Sequence, residues 1–132
     1  MGVANERSIA WIAAEAASRA GARLAFTYQN QAMARRVVPL AESVDAEITI
    51  PCDVGRSDSI DSAFDTLSRR WKSLDFVVHA IAFSDRRELK GRYLDTSREN
   101  MITSLMVSCY SFTHVARRAA NLASGGASFV TY

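Results

Sequence analysis

The residues able to do chemistry are concentrated in a few short segments. These are Met1-Gly2-Val3-Ala4, Thr27-Tyr28-Gln29, Cys52-Asp53-Val54, the stretch from His79 to Ser84, and Thr131-Tyr132. Gly2 and the residues up to Ser8 can wrap an anionic group where a helix begins, because free N–H groups and the helix dipole favour negative charge there. No GxGxxG pattern is present, so a plain capped turn is an equal reading of the same residues. Asp53 follows a strand, where a carboxylate serves either as a turn cap or as a ligand contact. His79, at the end of an apolar run, reads as a histidine satisfied inside the core. His114 and the pair Arg35-Arg36 read as surface features on helices. Cys52 and Cys109 have neither metal nor disulfide spacing.

The elements that must position these residues alternate between helical and strand periodicity. Asn5 can cap a helix over 6–20, and Gly21 sits where a helix end favours positive φ. Residues 23–28 form an apolar strand, 31–43 a helix, and 47–51 a strand with Pro51 at its end. Ser57 or Asp58 caps a third helix reaching Trp71, with Ile60, Phe64, Leu67 and Trp71 on one face. Residues 74–81 form a strand whose Phe76-Val77-Val78 centre lacks alternation, as in sheets buried on both faces. A polar loop over 83–95 precedes the capping box Thr96-Ser-Arg-Glu99 and a helix to Leu122. Its apolar seam runs through Met101, Leu105, Cys109, Phe112, Ala116 and Ala119, and residues 127–131 form a last strand. This order predicts one α/β domain over 1–132, a doubly wound parallel sheet with its ligand at the carboxyl ends of the strands.

Composition narrows the function classes. The 132 residues are 48% hydrophobic and 23% charged, the profile of an ordinary globular domain. A net charge of +2 is too balanced to argue for nucleic acid or an anionic membrane surface. No apolar run approaches the roughly 20 residues of a membrane span, and no signal-peptide pattern opens the chain. Reduced cysteines fit a cytoplasmic setting. Among sixteen Lys and Arg residues, the lysines are Lys72 and Lys90 alone.

Gly2-Val-Ala-Asn-Glu-Arg-Ser-Ile-Ala-Trp11, Leu24-Ala-Phe-Thr-Tyr-Gln-Asn30, Cys52-Asp-Val54, Val78-His-Ala-Ile-Ala-Phe-Ser-Asp85 and Leu89-Lys-Gly-Arg-Tyr93 closely resemble the bacterial NADH-dependent enoyl-acyl-carrier-protein reductases. Those enzymes belong to the short-chain dehydrogenase/reductase superfamily. The resemblance covers essentially the whole chain, and matches the front half of that family without its first strand. It implies a Rossmann-like fold, incomplete in its first strand and carboxyl half. It implies NAD contacts at Gly2, Ser8 and Ile9 on the diphosphate side and at Gln29 near the adenosine ribose. Asp53 and Val54 would meet adenine, and Ile81 the nicotinamide ribose. Ala82, Phe83 and Ser84 would floor the acyl pocket, with Ser84 contacting substrate. Tyr132 would be the first of two active-site tyrosines. The implied partner is an enoyl-acyl-carrier-protein or enoyl-CoA thioester in fatty acid biosynthesis, and the full-length form is implied to be a homotetramer.

Two departures qualify that reading. The family pairs a tyrosine with a lysine seven residues on. Here Arg35, Asn100 and Arg117 follow Tyr28, Tyr93 and Tyr110 at that distance. The superfamily's shorter spacing finds Ala32, Ser97 and His114. Ile12 stands where the family usually has glycine, and its branched side chain is expected to push the first helix away. The 132-residue chain is therefore expected to be a fragment without activity. The alternatives are a non-catalytic dinucleotide-binding module from a truncated or decayed gene, and another short-chain dehydrogenase acting on a carbonyl. The second is disfavoured by His79-Ala-Ile-Ala82 in place of Asn-Asn-Ala-Gly. Without the family's first, central strand, two blocks of sheet are expected to face each other across a gap.

Overall fold

A computed structural model describes all 132 residues. Strands β1 (Ala25–Tyr28) and β2 (Ile48–Pro51) pair in parallel, as do β3 (Phe76–His79) and β4 (Ser128–Thr131). The two pairs are separate sheets, so the expected gap is present. Helices α1 (Ile9–Arg19), α2 (Gln31–Ser43) and α3 (Ser57–Arg70) alternate with the first three strands. After a 3₁₀ turn at Tyr93–Asp95, α4 (Arg98–Leu105) and α5 (Ser111–Ala120) lead to β4.

Burial follows the apolar patterning and divides in two. Val3, Ala10, Trp11, Phe26, Val37 and Ala41 join α1 and α2 to β1. Ile48, Ile50, Ile60, Phe64, Val77 and Val115 join α3 and α5 to β2 and β3. Strands whose two faces meet different helical layers need apolar residues at successive positions, as the Phe76-Val77-Val78 run has. Pro51 pairs with Tyr28 at the last rung of β2, where its missing N–H is tolerated. Beyond α1, Gly21 takes φ +84° and Ala22 N–H reaches back to Ala17 C=O at 3.0 Å, closing the helix as expected.

Several local expectations are corrected. Helix α1 begins at Ile9 rather than Glu6, because Asn5 does not cap it. Instead Ser8 Oγ accepts from the N–H groups of Ala4 and Asn5 at 2.9 and 3.0 Å and donates to Asn5 C=O, folding residues 4–8 into a closed turn. Helix α3 is preceded by Arg56, and neither Ser57 nor Asp58 is its cap. Strand β3 is shorter than the apolar run, 76–79 rather than 74–81. Ile12 is 58% exposed and belongs to neither buried cluster, so no wedge separates α1 from the strands.

The largest correction concerns the helix expected over 96–122. A π-helical turn at Met106–Tyr110 divides it, and the buried positions become Asn100, Ser111, Val115 and Ala119. One residue added to a turn rotates everything beyond it by about 100°, so a seam read at constant pitch fails across it. Leu105 and Cys109 of that seam are exposed, whereas Ala119 is buried. The cap also moves by one. Ser97 rather than Thr96 accepts from Asn100 N–H, at 3.1 Å, and Glu88 rather than Glu99 closes the box by accepting from Ser97 N–H at 2.8 Å.

Candidate functional site

Gly2 lies at the start of the turn before α1, with φ +95°. A Cβ there would stand 2.0 Å from Ala80 C=O, so only glycine lets the turn cross β3 this closely. The turn is thereby packed against the carboxyl end of β3, beside Ile81. Ser8 holds the turn's shape from inside, while Ile9 is 56% exposed at the first position of α1. A turn held this way at the start of a helix and at the carboxyl end of a strand is where an α/β fold can take a phosphate-bearing ligand.

At the ends of β1 and β2, Gln29 Nε2 donates to Asp53 Oδ1 at 3.3 Å. Oδ1 also accepts from Gly55 N–H at 3.0 Å, and the Asp53 N–H donates to Ser59 Oγ at 2.9 Å. Asp53 is thus a turn residue, as one of the two readings had it, and also the partner of Gln29. Its Oδ2 is left for another donor. Val54 is 9% exposed and packs in the core, presenting little surface to a ligand.

The end of β3 is built differently. His79 is fully buried, with Nε2 2.8 Å from Ser111 Oγ and Nδ1 3.2 Å from Thr131 Oγ1. Burial holds its pKa below the ordinary 6.5, so the ring is neutral and structural, as expected. Ile81 is half-buried against the α3/α5 cluster. Phe83 is 47% exposed, but its N–H donates to Ser108 Oγ at 2.9 Å. Ser84 is fixed by Asn100, whose Nδ2 donates to Ser84 Oγ at 3.1 Å and to Glu88 Oε2 at 3.1 Å. Asn100 Oδ1 accepts from Asp85 N–H at 2.8 Å. Hydrogen bonds from Ser97 N–H and Oγ lower the Glu88 pKa, keeping it an acceptor. Tyr132 follows β4, its N–H donating to His79 C=O at 3.1 Å, and its side chain is 63% exposed.

The structure therefore brings Gln29 to Asp53, and Gly2 and Tyr132 to opposite sides of the β3 end. Sequence reasoning missed Asn100, Glu88 and Ser108, which hold the 83–88 loop. Three serines at 104, 108 and 111 on a nominally apolar helix were a signal that could have found them. His114, expected at the surface or in an interface, is partly covered and contacts Asp61 Oδ1 at 3.0 Å. The Asp, Glu, His and Cys residues form no metal-holding group, and no helix is long and apolar enough to cross a membrane.

Comparison with known proteins identifies the family. The family model described as enoyl-(acyl carrier protein) reductase matches residues 2–132. An enoyl-[acyl-carrier-protein] reductase [NADH] of Rhizobium meliloti is 51% identical over 99% of this chain and 49% of its own length. One from Rickettsia bellii is 46% identical over 98% of this chain and 50% of its own. The crystal structure of FabI from Candidatus Liberibacter asiaticus superposes with a TM-score of 0.96 at 50% identity, covering 99% of this chain and 51% of that one. The Anaplasma phagocytophilum reductase, solved in complex with NAD, gives a TM-score of 0.94 at 52% identity, covering 98% of this chain and 50% of that one. The chain spans about half the length of these relatives. With its α/β fold, its ordered motifs and a family match across nearly all its residues, the chain belongs to the enoyl-acyl-carrier-protein reductase family.

Proposed function

We propose that this chain carries the cofactor side of an NADH-dependent reduction of a trans-2-enoyl thioester, borne by acyl carrier protein or coenzyme A. The observation that carries this reading is the grouping of Gly2, Gln29–Asp53, Ile81 and Ser84 at the carboxyl ends of parallel strands, where α/β sheets bind dinucleotides. NADH, when bound, supplies the hydride that adds to the substrate β-carbon. Gly2 lets the turn that would hold the diphosphate pack against the end of β3. Gln29 offers a neutral amide to the adenosine ribose, and Asp53 borders the adenine, with the buried Val54 behind it contributing little beyond its backbone. Ile81 gives an apolar surface beside the nicotinamide ribose. Ser84, on a loop locked by Asn100, meets the acyl thioester. The Tyr132 hydroxyl donates to the thioester carbonyl as negative charge develops on its oxygen. The full-length protein would be a cytoplasmic homotetramer working in fatty acid biosynthesis.

Calorimetric titration of NADH into the purified chain tests the binding half of this reading. Saturable binding that weakens about tenfold in Asp53→Ala supports it, taking about 1.4 kcal/mol per tenfold. Binding indifferent to Gln29 and Asp53 contradicts it.

A second reading, a dinucleotide-binding module without catalysis, is favoured by the position of Lys72. Lys72 precedes β3 and Tyr132 lies beyond the opposite end of that strand. No cation is thereby supplied from Lys72 to the tyrosine. The 132-residue chain should leave NADH unoxidised with crotonyl thioesters, and robust turnover would overturn the dependence on a lysine partner.

A further inference from the structure

Ser111, His79 and Thr131 form one chain of hydrogen bonds whose direction is set at its helical end. An unbroken α-helix would give Val107 C=O to the Ser111 N–H four residues on. In the π turn that N–H bonds Met106 C=O, and the Ser111 hydroxyl donates to Val107 C=O at 2.7 Å. A carbonyl only accepts, so the single hydroxyl proton of Ser111 lies on that bond. Ser111 Oγ is then left to accept from His79 Nε2, 2.8 Å away, which places the ring proton on Nε2. A neutral ring has no second proton for Nδ1, so Nδ1 accepts from the Thr131 hydroxyl at 3.2 Å. The chain thus runs one way, from Thr131 through His79 and Ser111 to Val107. Phe112 packs beside the imidazole, with ring centroids 5.5 Å apart.

The donor end of the chain lies where little else holds the backbone. Strand β4 pairs with β3 alone, and Phe129 is its one residue that is even half-buried. His79 and Thr131 stand opposite each other in the parallel register, and Tyr132 N–H donates to His79 C=O. His79 therefore grips the end of β4 twice, by its ring at Thr131 and by its carbonyl at Tyr132. Successive strand side chains point to opposite faces, so fixing the face of Thr131 fixes that of Tyr132. We infer that His79, locked in its Nε2–H tautomer by Ser111, is a positioning residue for Tyr132, and that the π turn supplies the lock. This role rests on the reading of Tyr132 as the donor to the thioester carbonyl. A regular helix would return Val107 C=O to the backbone and free the Ser111 hydroxyl to donate to Nε2, so the chain could run either way. Ser108 on the same turn is a separate clamp, since its hydrogen bonds go to the N–H and C=O of Phe83.

The test is nuclear magnetic resonance of the 132-residue chain with nitrogen-labelled histidine, in the absence of nucleotide and thioester. His79 should show a protonated Nε2 in about tenfold excess over the other tautomer, the preference one hydrogen bond confers. Thr131→Val keeps the branched shape that suits a strand and removes the donor. It should speed Tyr132 amide exchange by about tenfold with the melting temperature nearly unchanged, and Thr131→Ser should restore the parent rate. Ser111→Ala should erase the tautomer preference and speed Tyr132 exchange, whereas Ser108→Ala should leave both as in the parent. An Nδ1–H tautomer in the parent overturns the inference, as does a Tyr132 amide that is unprotected there or equally protected in Thr131→Val. Ser108→Ala acting like Ser111→Ala would assign the effect to general loosening of the turn and overturn it too. No ligand enters these measurements, so a failure of NADH to bind bears on the proposed function alone.

Discussion

At the ends of β1 and β2, Gln29 and Asp53 share one 3.3 Å hydrogen bond, and Gln29 is exposed. At the end of β3, the buried Asn100 joins Ser84, Asp85 and Glu88, while Ser108 grips Phe83 and Ser111 grips His79. The first region holds its turn through Asp53 Oδ1 and still leaves Oδ2 and the rest of the Gln29 amide available to a ligand; the second spends its polar atoms on holding backbone. A recognition surface gains from the former, because uncommitted donors and acceptors are what a ligand can take up. A loop that must present a side chain in fixed geometry gains from the latter, since its order is settled before substrate arrives.

Substitutions should separate the two regions by their effect on stability. Gly2→Ala should be the most damaging, because a Cβ 2.0 Å from Ala80 C=O cannot be accommodated without moving the turn. Loss of the cooperative thermal transition is the expected readout. His79→Ala should cost about 2–3 kcal/mol in urea denaturation, since it opens a cavity and strips Ser111 and Thr131 of a partner. Asn100→Ala should cost about 1–3 kcal/mol and speed amide exchange at Asp85. Gln29→Ala should change stability by no more than about 0.5 kcal/mol. A large loss there would erase the contrast between the regions.

The pH dependence sharpens the same contrast. His79 is neutral in the fold, whereas the unfolded chain takes up a proton near pH 6.5. Its contribution is complete above 6.5 and falls as pH drops below it. The Met1 amine, lowered from 8.0 to about 6 by burial, acts in the same direction between those values. Glu47 lies at the amino-terminal side of β2, bonded to Arg23 and to Trp71 Nε1, and its pKa falls from 4.5 to about 2. That contribution is complete above 4.5 and is lost as pH falls toward 2. Denaturation midpoints should therefore decline as pH falls from 8 through 6.5, and decline further as it falls from 4.5 toward 2. N-terminal acetylation should remove the part between pH 8 and 6.5.

Much of this arrangement was legible in the residues. The alternation of helices and strands, the Gly21 terminus, the structural role of His79 and the split sheet were all expected, because each rests on burial or local backbone demand. The turn at Met106–Tyr110 was not, since an apolar spacing of four and three suits an unbroken helix. What moves the buried face is the pull of Ser108 toward Phe83 and of Ser111 toward His79. Both are contacts across more than twenty residues, and no local pattern encodes them. Of the candidate site, residue types and motif order were readable, while the Gln29–Asp53 contact and the Asn100 hub required the fold.

The most direct test of the account is NADH titration into the 132-residue chain and its Gln29→Ala, Asp53→Ala and Lys72→Ala variants, with folding checked by circular dichroism. Binding to the parent and Lys72→Ala proteins, weakened about tenfold in Gln29→Ala or Asp53→Ala with the fold intact, is the predicted result. Equal affinity in all four proteins, or no binding by a folded parent chain, would contradict it.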